Sequence, residues 1–322
     1  MYKNKEEKEK GMKTAFLFPG QGAQTIGMGK DIYDKYEEAK KIYEKAEEIS
    51  GVEIRKICFE GPEEELIKTE NAQLAILTTS LAILKILEEK GIKADIATGL
   101  SLGEYTALIY GGFISFEDGI KLIQKRGYYM ANNLPNEEYS MAAVIGLESK
   151  KIEEICEQIR VEGKFVVPAN YNCSSQTAIS GASDAIELAI EKLKKAGAKR
   201  VIKLKTSGPF HTKKLEEASK KLRVELEKIE IKAPDCVVVK NLDGKPYNTN
   251  ENIKEVLEKH IISPVKFSDS IKYILENSVD TFIEVGPGKT LTSLVRKIDR
   301  NVNCINISDV ASLESAIELL NS

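Results

Sequence analysis

Two hydrophobic rhythms run through the chain, and each predicts its own element. Thr14 to Phe18 (TAFLF) is a short apolar run stopped by Pro19-Gly20, the pattern of a buried strand feeding a loop. Helical spacing covers 28 to 49 and 71 to 90. The second of these helices opens at Asn71, closes at Gly91 and sets Leu74, Leu77, Leu81 and Leu84 on one stripe. Ile92 to Gly99 reads as a second buried strand, and a helix over Leu102 to Tyr110 follows at once. A further helix, Phe116 to about Asn132, is expected to carry Ile120, Ile123 and Tyr128 toward the core with Arg126 in its C-terminal half, and Leu134-Pro135-Asn136 ends it.

From about 138 to 207 the order becomes strand (SMAAVIGL), helix (SKKIEEICEQIR), two strands around ANYNCSSQTAISG, helix (DAIELAIEKLKKAG) and strand (KRVIKLK). That βαββαβ order predicts a ferredoxin-like unit, inserted into the surrounding chain with a small core of its own. Beyond it come a helix from about Thr212 to Ile229, a strand at Val237 to Lys240 and a tight turn at Asp243-Gly244. Two helices and the strand Thr281 to Val285 follow, with Gly286-Pro287-Gly288 and one more helix after them. The fold class is therefore α/β, with a mainly parallel sheet in the larger domain.

The 322 residues are 42% hydrophobic and 30% charged, ordinary globular composition, and the leader 1–12, which opens MYKNKEEKEKG, is expected to be a disordered, charged overhang. The 47 basic and 50 acidic side chains balance to a net charge of −3, which gives no electrostatic footprint for nucleic acid. Cys58, Cys156, Cys173, Cys236 and Cys304 are odd in number and form no CxxC pair, so neither a zinc site nor a disulfide framework is predicted. They read as reduced thiols of a cytoplasmic protein. No apolar run approaches the ~20 residues of a membrane helix.

Chemistry concentrates first at Gly99-Leu100-Ser101-Leu102-Gly103, a GxSxG sequence between a predicted strand and a predicted helix. The flanking glycines let the backbone turn sharply, so that the Ser101 hydroxyl projects and the following N–H groups face an incoming carbonyl oxygen. A serine nucleophile needs a base, and the chain has two histidines. His211, in Ser207-Gly208-Pro209-Phe210-His211, lies on a loop where α/β folds place site residues. His260, near the end of a charged helix, reads as a solvated or capping residue. Arg126 could hold a carboxylate through two parallel hydrogen bonds, although a surface helix charge fits the same position. The loop Pro19 to Gln24 could supply a further N–H.

Together these motifs resemble the malonyl-CoA:acyl carrier protein transacylases and the acyltransferase domains of fatty acid and polyketide synthases, over about 13 to 300. The landmarks are FPGQGAQ at 18 to 24, GLSLGEY at 99 to 105, QKRG at 124 to 127, NYNCSSQTAISG at 170 to 181, GPFH at 208 to 211, SPVKF at 263 to 267 and EVGPG at 284 to 288. The resemblance implies an α/β-hydrolase-like catalytic domain (13–137 and 208–322), a ferredoxin-like subdomain (138–207) and a cleft between them. It implies Ser101 as the acylated serine, His211 as the general base and the N–H groups of Gln21 and Leu102 as the oxyanion hole. Arg126 would bind the malonyl carboxylate, and Gln21, Asn170, Asn172 and His260 would complete the substrate-binding set. Malonyl-CoA and acyl carrier protein are the implied partners, malonyl-CoA being a substrate, with no cofactor, no metal, and a monomer expected.

Leu100 stands where the family usually has histidine, and activity is expected to survive the change. His260 stands where glutamine is frequent and its backbone carbonyl orients the catalytic histidine, so the His260 side chain is expected near His211. CSSQ at 173 to 176 lacks the usual Pro-Gly, a difference for the hairpin more than the chemistry. GxSxG on an α/β sheet equally suits a serine thioesterase or lipase-like hydrolase, but Arg126, GPFH and the absence of any histidine after 260 argue against it. A discrete acyltransferase of a polyketide synthase and a non-catalytic carrier-binding module are the other readings. Lys203, Lys205, Lys213 and Lys214, though close to the cleft in sequence, read as solvated surface.

Overall fold

The apolar run Thr14–Phe18 (β1) is buried at every residue because it is the middle strand of a five-stranded sheet. A computed structural model of the protein describes residues 13–206, 208–248 and 251–321; the expected leader, 1–12, lies outside them. In chain order the remaining strands are Ile96–Gly99 (β2), Tyr139–Ile145 (β3), Val166–Cys173 (β4), Gln176–Ala182 (β5), Arg200–Lys203 (β6), Val237–Val239 (β7), Thr281–Val285 (β8) and Asn303–Ile307 (β9). The large sheet runs β7-β2-β1-β8-β9, with every pairing parallel. Strands covered by helices on both faces carry continuous apolar runs rather than alternating ones, as TAFLF and TFIEV do.

The helix Thr69–Glu89 has 16 buried residues among its 21, more than a stripe, because it packs in the interior against Phe116–Asn132. It starts two residues before Asn71, which does not cap it: the Asn71 amide instead donates to the Glu65 carbonyl. The helix Phe116–Asn132 has the predicted bounds, fixed by Ser115 Oγ accepting from the Asp118 N–H. Its buried face holds Ile120, Ile123, Arg126 and Met130, whereas Tyr128 is exposed, against expectation. At 100° per residue Tyr128 falls about 80° from Ile120 and off the stripe.

The single helix expected over 28 to 49 is two, Lys30–Lys35 and Glu37–Ser50, separated by an extended Tyr36. The buried positions Ile32, Ala39, Tyr43 and Ala46 keep helical spacing across that break, so periodicity conceals it. The second strand begins only at Ile96. The helix expected from Thr212 is a short 3-10 turn and then Glu216–Glu227. The turn at Asp243-Gly244 is formed, with Gly244 at φ 71°, but it closes only one antiparallel bridge, Val239 to Pro246. The strand β9 and the helix Val310–Asn321 were not expected, nor were the short helices Ile54–Phe59 and Glu63–Leu66.

The segment from β3 to β6 follows the expected order of strand, helix, two strands, helix and strand, and forms an antiparallel sheet in the order β4-β5-β3-β6. Its helices, Ser149–Val161 and Ser183–Lys195, bury Ile152, Ile155, Ile186 and Leu193 with Val144 and Ile179 in a separate apolar cluster. CSSQ closes the hairpin in two residues, Cys173 opposite Gln176, with register shifts between Pro168 and Asn170 and between Tyr171 and Cys173. At this edge the small sheet meets the segment that carries Val265. The Tyr171 N–H donates to the Val265 carbonyl and the Val265 N–H to the Ala169 carbonyl, both at 2.8 Å. Among the described residues no helix is long and apolar enough to cross a membrane, and no group of three or more His, Cys, Asp or Glu is placed to hold a metal.

Candidate active site

The GxSxG turn depends on its glycines for space. A Cβ on Gly99 would lie 2.0 Å from the Gly103 carbonyl carbon, and one on Gly103 would lie 2.1 Å from the Phe18 carbonyl oxygen. With β2 and the helix Gly103–Tyr110 held this close, Ser101 is forced to φ 58°, a left-handed conformation costly for a residue with a Cβ. Asn241, just past β7, secures it: Oδ1 accepts from the Ser101 N–H and Nδ2 donates to the Gly99 carbonyl, both at 2.7 Å. Leu100 leaves the turn intact, packing on an apolar cluster that contains Val265, Phe267 and Cys173.

His211, also at φ 58°, brings Nε2 to 2.8 Å from Ser101 Oγ. Its Nδ1 faces the His260 carbonyl oxygen at 3.1 Å, so Nδ1 carries the proton and Nε2 is left to accept from the Ser101 hydroxyl. Burial, and then the nearby Arg126 charge, hold its pKa down to about 3 against the pull of its backbone hydrogen bonds. It is a neutral imidazole, the form a general base requires.

Arg126 is fully buried, which removes the reading of a surface charge. One terminal nitrogen donates to Ser101 Oγ at 3.0 Å and the other to Gln73 Oε1 at 2.6 Å, while the guanidinium lies 5.4 Å from the centre of the Tyr105 ring. Among the described residues no carboxylate comes within 4.0 Å of it, and its Nε has no partner. Burial lowers its pKa from the ordinary value. A desolvated cation without an anion is unfavourable, and a substrate carboxylate would relieve it.

Gln21 joins the same chain of side chains: its amide nitrogen donates to Thr69 Oγ1 at 3.2 Å, and Gln73 reaches its Oε1 at 3.5 Å. The first loop packs against the elbow, where a Cβ on Gly20 would sit 2.4 Å from the Leu100 carbonyl oxygen. Leu102 caps the N-terminus of the helix Gly103–Tyr110. Neither the Gln21 N–H nor the Leu102 N–H is taken up by a hydrogen bond among the described residues.

Asn170 and Asn172 stand on the small sheet at its junction with Val265; they make no hydrogen bond to Ser101, His211 or Arg126, and Asn172 Oδ1 is buried without a partner among the described residues. His260 is fully buried, not solvated, because its helix end is covered by the loop carrying His211; the two rings lie 5.2 Å apart. Beside the site a groove of about 660 Å³ is lined by Thr69, Met130, Gly208 and Phe210, with Lys205 among its walls. Lys203, Lys205 and Lys214 pair with Glu187, Glu63 and Glu137 at the surface. Sequence reasoning missed Gln73, Asn241 and Glu104, although GLSLGEY contains the last.

Residues 15–315 match the family model for the acyl transferase domain. The chain belongs to this family. A malonyl CoA-acyl carrier protein transacylase of Bacillus subtilis is 42% identical over 308 residues, 96% of this chain and 97% of that one. The crystal structure of a malonyl CoA-acyl carrier protein transacylase from Clostridium perfringens is 43% identical with a TM-score of 0.91, covering 96% of this acyl transferase and 97% of its counterpart. A malonyl-transacylase solved in complex with its type II PKS acyl-carrier protein is 35% identical, TM-score 0.92, over 95% and 99% of the two chains.

Proposed function

We propose that the chain is an [acyl-carrier-protein] S-malonyltransferase, moving malonyl from malonyl-CoA to the phosphopantetheine thiol of acyl carrier protein for fatty acid biosynthesis. The names of its relatives support this activity. The observation that carries it is Ser101 Oγ held between a neutral base, His211 Nε2 at 2.8 Å, and an unpaired guanidinium, Arg126 at 3.0 Å.

Ser101 gives its proton to His211 Nε2 and attacks the thioester carbon. The oxyanion of the tetrahedral intermediate accepts from the Gln21 and Leu102 N–H groups, the C–S bond breaks, and His211 returns the proton to the departing thiolate. The carrier's thiol then reverses these steps on the malonyl-Ser101 ester. Arg126 exchanges its bond to Ser101 for the malonyl carboxylate, so an acetyl group leaves the buried cation unpaired. Asn170, Asn172, Gln21 and His260 complete the walls of the substrate cleft in this reading.

The domain division belongs to the same proposal: an α/β-hydrolase-like catalytic domain, 13–137 and 208–322, and a ferredoxin-like subdomain, 138–207. The strand order β4-β5-β3-β6 supports the second label. The enzyme is proposed to be a cytoplasmic monomer that works without cofactor or metal. A serine hydrolase is not favoured, since its histidine normally bonds a carboxylate and His211 bonds a backbone carbonyl instead.

Arg126→Ala tests the selectivity. In a quenched-flow assay of acylation, the preference for malonyl-CoA over acetyl-CoA should fall on the order of 100-fold, through loss of the malonyl rate. An unchanged preference would remove Arg126 from the substrate site.

A further inference from the structure

The fully buried acid nearest the dyad has no part in the mechanism above. Glu104 follows the elbow in sequence and is 0% exposed. Its Oε2 accepts from the Asn241 N–H at 2.8 Å and its Oε1 accepts from the Tyr247 hydroxyl in a short hydrogen bond. Asn241 holds the Ser101 N–H. On the other side, Oε2 lies 3.7 Å from His260 Nδ1, and the His260 ring stacks obliquely on His211, whose Nδ1–H is held by the His260 carbonyl. Among the described residues neither His260 ring nitrogen has a hydrogen-bond partner. These residues therefore close a ring, partly through backbone groups: Ser101, Asn241, Glu104, His260, His211 and back to Ser101.

Resting on the dyad assigned above, we propose that Glu104 is its positioning residue: it fixes the Ser101 turn through Asn241 and, from behind the His260 ring, supplies the negative charge that offsets the His211 imidazolium during acyl transfer. His211 is held by backbone groups of His260 and Ser263, not by a carboxylate, so a full counter-charge must come from further away. Among these buried groups a charge behind one ring is screened less than it would be at the surface. The His260 ring is suited to a spacer, since burial and the neighbouring His211 and Arg126 push its pKa well down and keep it neutral.

The groups facing Glu104 are Tyr247 and Lys240 from the segment after β7, Arg126 from its helix, Tyr105 beside it, and His260. Lys240 is itself paired with Glu251 at 2.9 Å. Burial raises the Glu104 pKa to about 7, opposed by Tyr247, the Asn241 N–H, Arg126 and Lys240. The counter-charge is thus present above about pH 7 and lost below it, and the rate of acylation should rise with pH through that point. His211, neutral far below this range, does not produce that limb.

The test is the single-turnover rate of Ser101 acylation by malonyl-CoA against pH in the native protein, Glu104→Gln and Tyr247→Phe. Glu104→Gln should lower the plateau rate about tenfold, leave KM for malonyl-CoA unchanged and abolish the limb. Tyr247→Phe keeps the charge but removes a hydrogen bond that favours it, so the plateau should stand while the limb moves to higher pH. A native plateau and limb in Glu104→Gln, or equal losses in both variants, would overturn the proposal in favour of packing alone. If Glu104→Gln does not fold, an unmoved limb in Tyr247→Phe overturns it by itself. Failure of the dyad assignment shows separately, as acylation that survives His211→Ala.

Discussion

His211 and Arg126 are two basic side chains a few ångströms apart, and burial sets their opposite states: the imidazole gives up its charge and the guanidinium keeps it. The His211 pKa is about 3 in the folded chain against an ordinary 6.5, so between those values the unfolded chain binds the extra proton. The stability due to neutral His211 is complete above pH 6.5 and is lost as pH falls toward 3. In urea titrations, the slope of unfolding free energy with pH in this acid window should therefore be smaller in His211→Gln than in the native chain. Parallel curves for the two proteins would mean that His211 titrates normally.

At the scale of the element, the elbow is a strand and a helix brought so close that backbone meets backbone. Gly103→Ala would push a methyl group into the Phe18 carbonyl, costing about 1–3 kcal/mol and displacing Ser101. Thermal denaturation should show the loss, and acylation should fall with it; a fully active, equally stable variant would contradict this geometry. Elements with strong local marks were legible in the sequence: TAFLF before Pro19-Gly20, and the helix from Phe116 capped by Ser115. The break at Tyr36 was not, because buried positions keep helical spacing across it. The edge strand Asn303–Ile307 was missed because four of its five residues remain at least partly exposed, leaving no apolar run. Ser101, His211 and Arg126 were found through motifs, but Asn241 was not, since it stands 140 positions from the N–H it holds.

Across the whole molecule, the small sheet falls between the site's residues in chain order and is tied by backbone hydrogen bonds to Val265. Ser101 and Arg126 precede the small sheet in sequence and His211 follows it, so the chain must pass through that sheet before the dyad can form. The order of elements from β3 to β6 was readable from their amphipathic helices; the docking of the small sheet onto Val265 was not, because that contact is backbone to backbone and carries no side-chain mark. Malonyl transfer by this site requires a covalent ester at one atom, Ser101 Oγ. Intact-protein mass after brief exposure to malonyl-CoA, with the native chain and Ser101→Ala in parallel, tests it most directly. A single malonyl adduct on the native protein, absent from Ser101→Ala, is the predicted result; an adduct of equal yield on Ser101→Ala, or free malonate released with no adduct formed, would contradict it.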